Sequence, residues 1–226
     1  MEELRFLSKY LVLATAIIGL IFYIINYVKY QKREFAKTEY FLLSIWVMAG
    51  FDFFGSKFYS WFGMLNYPVY STYIIIFMLF YYYWYYRLIK PKLKRNLIII
   101  FALIFLAFAL INAFFIQDFY TGIQSYTYAL GVIFLIISIC FYFVEVFKSD
   151  MVLNITKSTH FWFSLGILLF HGTFLPFQIA HKFFLLGDSR IFSIVLFFLN
   201  FLMCFCFIIG FFTMRKNTEI ETSDLL

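Results

Sequence analysis

The chain of 226 residues is 64% hydrophobic and only 13% charged, with a mean hydropathy of +0.89. Soluble globular domains use ~45–50% apolar and ~25% charged residues, so this composition excludes a water-soluble globular protein and predicts lipid as the main solvent. The net charge of +6 comes from basic residues that lie mostly between apolar segments. It therefore indicates membrane topology and attraction to anionic lipid rather than nucleic-acid binding.

Seven apolar segments follow one another along nearly the whole chain. A hydrocarbon core of ~30 Å requires ~20 helical residues, and each segment is about that long and apolar on all sides. We predict an all-α fold, a polytopic seven-transmembrane-helix bundle that forms a single transmembrane domain over residues 1–226. The predicted spans lie near residues 7–28, 40–60, 69–88, 96–116, 124–147, 159–181 and 191–213.

The basic residues between the spans are distributed unevenly. Thirteen Lys and Arg residues fall in the loops after the first, third and fifth spans and in the C-terminal tail, and only four fall on the opposite side. Because basic loops stay in the cytoplasm, we expect the N-terminus outside, the C-terminus in the cytoplasm, and a multi-pass protein of the cell inner membrane.

Polar residues inside the spans are the best indication of a site, since ionisable groups in hydrocarbon are costly and usually face the bundle interior. Asp52 and His171 both lie about twelve residues, or ~18 Å, into spans that enter from the cytoplasm, and Asn200 lies near mid-depth of the seventh span. We predict a ligand pocket around these three residues in the outer half of the bundle. The predicted ligand-binding residues are Asp52, Ser56, Tyr73, Asn112, His171, Gln178 and Asn200.

The same side chains permit two other interpretations. They are also expected if they make only interhelical hydrogen bonds, which are worth ~0.6 kcal/mol each. A proton relay through the ionisable members is the third possibility.

Motifs of catalysis and of cofactor binding are absent from the sequence. There is no Gly-x-Ser-x-Gly or His-Glu-x-x-His spacing, no phosphate loop and no dinucleotide fingerprint. His160, His171 and His181 are spread along one predicted helix and do not form a compact metal-ligand set. The last span, 191–213, contains no lysine that could hold retinal. We therefore expect no enzyme activity, no catalytic residue, no metal and no cofactor.

Two aromatic segments carry a family resemblance. They run from FDFF at 51–54 to LNYPVY at 65–70, and from HFW at 160–162 to GTFLP at 172–176. In these segments the chain resembles uncharacterised seven-helix inner-membrane proteins of Bacteroidota. The resemblance implies a seven-helix membrane fold and assigns no functional residues.

The leading functional hypothesis is a receptor-like or signal-coupling membrane component that acts through a partner protein in the membrane or cytoplasm. No loop exceeds roughly fifteen residues, so a signal is expected to pass through the bundle to another chain. The predicted partner-docking residues are Lys32, Arg33, Lys90, Lys92, Lys94 and Arg95. The alternatives are a small-solute transporter with its site in the outer half of the bundle and a structural subunit of an envelope complex.

Overall fold

The computed structural model describes residues 2–30, 36–148, 155–184 and 189–223. These residues form seven α-helices and contain no β-strand. The helices are α1 (Glu2–Tyr30), α2 (Ala36–Phe62), α3 (Tyr67–Leu88), α4 (Lys92–Ile111), α5 (Ser125–Lys148), α6 (Thr159–Phe184) and α7 (Ser189–Ser223). The prediction of an all-helical protein is confirmed for the described residues, because each predicted span lies, to within one residue, inside one helix or inside a helix and its direct continuation.

Five of the described helices are long and apolar enough to cross a bilayer. Their apolar stretches are Thr38–Phe62, Lys92–Ile116, Ser125–Lys148, Thr159–Ile179 and Ile191–Thr213. The protein is therefore a membrane protein. The apolar stretch described in α1 is shorter, Tyr10–Ile25, and the many tyrosines of α3 lower its hydropathy. The crossing of the membrane by α1 and α3 stays a prediction, as does the single-domain assignment.

The fourth predicted span differs from a regular helix at its end. The α-helix stops at Ile111, and a π-helical turn continues over Asn112–Ile116. The Gln117 N–H donates to the Asn112 carbonyl at 2.8 Å. This wider turn brings the side chains of the same two residues within 3.0 Å of each other, a contact that hydropathy does not predict.

The helices group into two compact units, one made of Met1–Ile45 with Val146–Leu226 and the other made of Trp46–Glu145. In the first unit, α6 and α7 approach closely because each presents a glycine. A side chain at Gly166 of α6 would lie 2.9 Å from the Phe207 ring, and one at Gly210 of α7 would lie 2.6 Å from the Phe163 ring. Small residues such as these glycines let the backbone of one membrane helix pack directly against a side chain of its neighbour.

In the second unit, α3, α4 and α5 pack around Gly131 of α5. The Tyr82 ring of α3 lies edge-on to the Phe105 ring of α4, with centroids 5.7 Å apart. A side chain on Gly131 would lie 2.8 Å from the Phe105 ring and 3.0 Å from Met78. The absence of a side chain at this residue therefore lets the three helices meet.

Candidate functional site

Asp52 of α2 lies in a cluster with four tyrosines of the second unit. The Tyr73 side chain lies near the side chains of Tyr70, Tyr81 and Tyr128 and near Asp52, within the range of electrostatic interaction. Three helices contribute, since Asp52 is in α2, Tyr128 is in α5 and the other three are in α3. We call these five residues the tyrosine–aspartate cluster.

The helix hairpin formed by α2 and α3 positions this cluster. Gly63, in the turn, has φ +68°, a left-handed conformation that glycine adopts without a steric cost. Asn66 donates from its side-chain amide to the Gly55 carbonyl at 3.1 Å. The Phe51 and Tyr73 rings meet edge to face with centroids 5.6 Å apart. These contacts place the side of α2 that carries Phe51 and Gly55, next to Asp52, against the tyrosine face of α3.

Close packing between Gly55 of α2 and Tyr70 of α3 fixes the Tyr70 end of the cluster. Gly55 is buried, and a Cβ at this residue would lie 3.1 Å from Cζ and 3.2 Å from the hydroxyl of Tyr70. Asp52 precedes Gly55 by three residues on the same helix, so the two positions share one side of α2. The Tyr70 ring is therefore held next to the part of α2 that bears the carboxylate.

Burial divides the cluster into an inner and an outer part. Tyr81 and Tyr128 are buried, with 4% and 5% of their surfaces exposed. Asp52, Tyr70 and Tyr73 are half-buried. The cluster thus has two buried members and three half-buried members, and Asp52 is one of the half-buried members.

A second polar group, which we call the basic corner, lies where α3 ends and α4 begins. It comprises Arg87, Lys90, Lys92, Lys94 and Arg95. One carboxylate of α5, that of Glu145, contacts it twice: Lys94 Nζ is 3.2 Å from Glu145 Oε1, and the Lys90 backbone N–H donates to Oε2 at 3.1 Å.

The corner remains strongly positive despite these contacts. The Arg95 guanidinium lies 4.4 Å from the centre of the Tyr86 ring, which holds it by a cation–π interaction. Arg87, Lys90 and Lys92 have exposed side chains, and the neighbouring Leu93 is 72% exposed. Glu145 is one negative charge against five positive charges, so the corner is an ordered basic surface.

A third group, the amide cluster, joins the end of α4 to the start of α5 and consists of Asn112, Gln117, Gln124 and Thr127. The Asn112 amide nitrogen lies within hydrogen-bonding distance of Gln124 Oε1, of Thr127 Oγ1 at 2.8 Å and of Gln117 Oε1 at 3.0 Å. Gln124 donates to the Gln117 carbonyl at 2.8 Å. These bonds close the loop between the two helices.

The predicted ligand residues are therefore found in several places. Asp52 and Tyr73 belong to one cluster, whereas Asn112 belongs to the amide cluster. Ser56 is exposed and donates to the Phe53 carbonyl within its own helix at 2.7 Å.

The other predicted ligand residues belong to the first unit. His171 and Asn200 are buried, and Gln178 is half-buried. The Asn200 amide donates to the Leu196 carbonyl within α7 at 2.9 Å. The pocket predicted around Asp52, His171 and Asn200 stays a prediction, since its members are divided between the two units.

Of the predicted docking residues, the basic corner contains Lys90, Lys92, Lys94 and Arg95, whereas Lys32 and Arg33 lie outside the described residues. Eight residues that belong to these groups or contact them are not among the predicted site residues: Tyr70, Tyr81, Arg87, Gln117, Gln124, Thr127, Tyr128 and Glu145. A signal for Tyr81 was present, because Tyr70, Tyr73 and Tyr81 are spaced by three and eight residues and so share a helix face.

Among the described residues, no group of three or more His, Cys, Asp or Glu is arranged to hold a metal ion. Comparisons with known proteins add no identification. No protein-family model, no curated protein and no solved structure matches this chain.

Proposed function

We propose that this protein is a receptor-like, signal-coupling component of the cell inner membrane that acts through a partner protein. The proposal includes seven membrane crossings, with the N-terminus outside and the basic corner in the cytoplasm. It also keeps the relation to the seven-helix proteins of Bacteroidota as a hypothesis. In this arrangement the tyrosine–aspartate cluster receives the signal and the basic corner passes it on.

One observation carries the proposal: α3 and α5 each extend from the tyrosine–aspartate cluster to the basic corner, which α5 contacts through Glu145. Helix α3 bears Tyr73 and Tyr81 and ends at the basic corner, while α5 bears Tyr128 near its start and Glu145 near its end. From Tyr128 to Glu145 the helix rises ~26 Å at 1.5 Å per residue. A displacement of either helix at the cluster would therefore reach the corner, because a packed helix moves as a rigid element.

The charge of the basic corner indicates the chemistry of the partner surface. Three exposed cationic side chains and the exposed Leu93 face outward. An acidic protein surface with an apolar contact complements such a surface in charge and in apolar area.

Affinity purification tests the partner hypothesis. The tagged protein is extracted from native membranes in a mild detergent, and co-purifying proteins are quantified by mass spectrometry. The double variant Lys90→Glu with Lys92→Glu is expected to retain about ten-fold less partner, since reversing two exposed charges costs roughly 1–2 kcal/mol. Retention of the partner at the wild-type level would contradict the docking surface.

A matched control is available in the same unit. Lys57 is also an exposed lysine, and it lies near the other end of the α2–α3 hairpin. Lys57→Glu is expected to keep the partner. If the wild-type protein purifies without any stoichiometric partner, the signal-coupling function is rejected, and solute flux in proteoliposomes becomes the measurement for the transporter alternative.

A further inference from the structure

We propose that the first turn of α4 binds the headgroup phosphate of an anionic phospholipid, while an acyl chain of the same lipid lies along the apolar face of this helix. The net charge of the chain indicates attraction to anionic lipid in general, and α4 gives that attraction a defined place. The lipid site goes beyond the proposed function and does not depend on a partner protein.

Two cations of α4 form the headgroup end of the site. Lys92 and Arg95 are three residues apart, so they share one face of the helix, with about 5–6 Å between their Cβ atoms. Lys92 is exposed. The Arg95 guanidinium is held 4.4 Å from the centre of the Tyr86 ring. A planar guanidinium matches a phosphate in geometry, and one that is already held loses little side-chain entropy when a ligand binds.

The same face of α4 continues as the acyl-chain end of the site. Positions three, four and seven residues further along a helix continue the line of Lys92 and Arg95. Their side chains are all apolar and are between 39% and 63% exposed: Ile99, Leu103, Leu106 and Leu110. From Arg95 to Leu106 the helix rises ~16 Å, about half of a hydrocarbon core of ~30 Å. This face therefore has the length of an acyl chain in one leaflet.

The two ends of the site meet at the boundary of the membrane. The stretch of α4 that is long and apolar enough to cross a bilayer begins at Lys92. Tyr83 is exposed and Tyr86 is half-buried in the adjoining end of α3, and tyrosine rings prefer the level of the lipid headgroups. Lys92 and Arg95 thus lie where the phosphates of the bilayer lie.

The surrounding charge selects among phospholipids. Every phospholipid has a phosphate, but a zwitterionic headgroup also has an ammonium group. Arg87 and Lys90 are exposed beside this turn of α4, and the Glu145 carboxylate is already engaged by Lys94 and by the Lys90 backbone N–H. This excess of positive charge repels an ammonium group, so the site favours a headgroup that carries only negative charge.

An acidic protein surface is the other occupant that complements cations. It would leave Ile99 and Leu103 uncovered, because these side chains lie inside the apolar stretch of α4. A second competing explanation is that Lys92 and Arg95 are hydrated and attract any anion diffusely. Diffuse attraction predicts that a phosphate without acyl chains displaces the lipid.

Native mass spectrometry of the purified full-length protein in a non-ionic detergent measures lipid binding directly. The probes are phosphatidylglycerol and phosphatidylcholine with identical acyl chains, and glycerol phosphate is the competitor without chains. The wild-type protein is expected to bind phosphatidylglycerol at least about five-fold more tightly than phosphatidylcholine. Lys92→Gln and Arg95→Gln are each expected to weaken phosphatidylglycerol binding about five-fold, the effect of one cation near anionic lipid, and phosphatidylcholine binding by less.

Lys57→Gln is the matched control, because Lys57 is an exposed lysine of the same unit, and it is expected to leave both affinities unchanged. If Arg95→Gln does not fold, as judged by gel filtration, Lys92→Gln carries the test. The assignment would be overturned by equal binding of the two lipids to the wild-type protein, by displacement of phosphatidylglycerol by an equal concentration of glycerol phosphate, or by unchanged affinity in the folded variants.

The outcome is separable from that of the proposed function, because no partner protein is present in the lipid measurement. A preference for phosphatidylglycerol that depends on Lys92 and Arg95, together with a missing partner in native membranes, would reject signal coupling but keep the lipid site. A partner captured through the basic corner, together with equal binding of the two lipids, would keep the proposed function and reject the lipid site.

Discussion

The Tyr82 hydroxyl of α3 donates a hydrogen bond of 2.8 Å to the backbone carbonyl of Gly131 in α5. Both residues lie in the second unit, 49 positions apart in the chain. The bond joins α3, which ends at the basic corner, to α5, whose Glu145 contacts that corner.

Removing this hydroxyl tests how strongly the two helices are joined. Tyr82→Phe is expected to lower the free energy of unfolding by about 0.5–1.5 kcal/mol, the net value of one hydrogen bond. Thermal unfolding in detergent measures the change. Tyr83→Phe is the control, because Tyr83 is 44% exposed, and an equal loss in both variants would contradict a specific role for Tyr82.

Adding a methyl group at Gly131 tests the close packing of α3, α4 and α5. Gly131→Ala is expected to destabilise the protein by about 1–3 kcal/mol, because the Phe105 ring and Met78 must move away from the new Cβ. Gly50→Ala in α2 is the matched control, since no atom lies within 4 Å of a Cβ there. There the substitution is expected to be neutral or stabilising by up to ~1 kcal/mol. Equal stability of the two variants would show that the contact is not tight.

The ion pair between Lys94 and Glu145 is expected to depend on salt. Both side chains are largely buried, at 23% and 21% exposure. Glu145→Gln should cost about 0.5–1 kcal/mol at low ionic strength, and less in 0.5 M salt because ions screen the pair. A melting series at two salt concentrations measures this difference, with the exposed Lys92→Gln as the control. A loss that is independent of salt would contradict an electrostatic role for the pair.

Asn112 is expected to hold the loop between α4 and α5. Asn112→Ala leaves the acceptors of Gln124 and Thr127 without their shared donor, which costs about 1–3 kcal/mol for buried groups. Hydrogen exchange of the backbone amides in residues 117–127 should become faster. Asn96→Ala, on the exposed side of α4, is the control and should leave exchange unchanged. Unaltered protection of the loop in Asn112→Ala would contradict this role.

The stability of the same loop is expected to depend weakly on acidic pH. The residue responsible is Asp118, which follows the π-helical turn at the end of α4. Hydrogen bonds from the Tyr120 N–H and the Thr121 side chain lower the pKa of Asp118 below its ordinary 3.8. A lowered pKa in the folded state means that the contribution to stability is present above pH 3.8 and is lost as the pH falls through the folded pKa. Melting curves between pH 5 and pH 2.5 should therefore differ between wild type and Asp118→Asn. If wild type and Asp118→Asn lose stability in parallel as the pH falls, Asp118 does not contribute to stability in this way.

Much of the fold was predictable from residue order alone. Each of the seven predicted spans coincides with a helix, because a backbone in hydrocarbon must satisfy its hydrogen bonds internally and a long apolar segment can do so only as a helix. The π-helical turn at Asn112 was not predictable. It depends on Gln117, Gln124 and Thr127, which reach Asn112 only when the loop closes.

The candidate site was predictable in part. Asp52 and Tyr73 were recognised as polar residues inside spans, and the structure brings the two helix segments together at Phe51 and Tyr73. Tyr128 and Glu145 were not recognised, because a tyrosine and a glutamate near helix ends are typical of a membrane interface and carry no sign of their partners.

The sequence by itself determined that this is a helical membrane protein, where its helices lie and which polar residues enter them, since hydropathy and charge act locally along the chain. Tertiary structure alone decided which of those residues meet. Lys94 and Glu145 are 51 positions apart, and Tyr82 and Gly131 are 49 apart. Their contacts depend on the rotation and the neighbours of each helix, which side-chain packing sets and residue order does not.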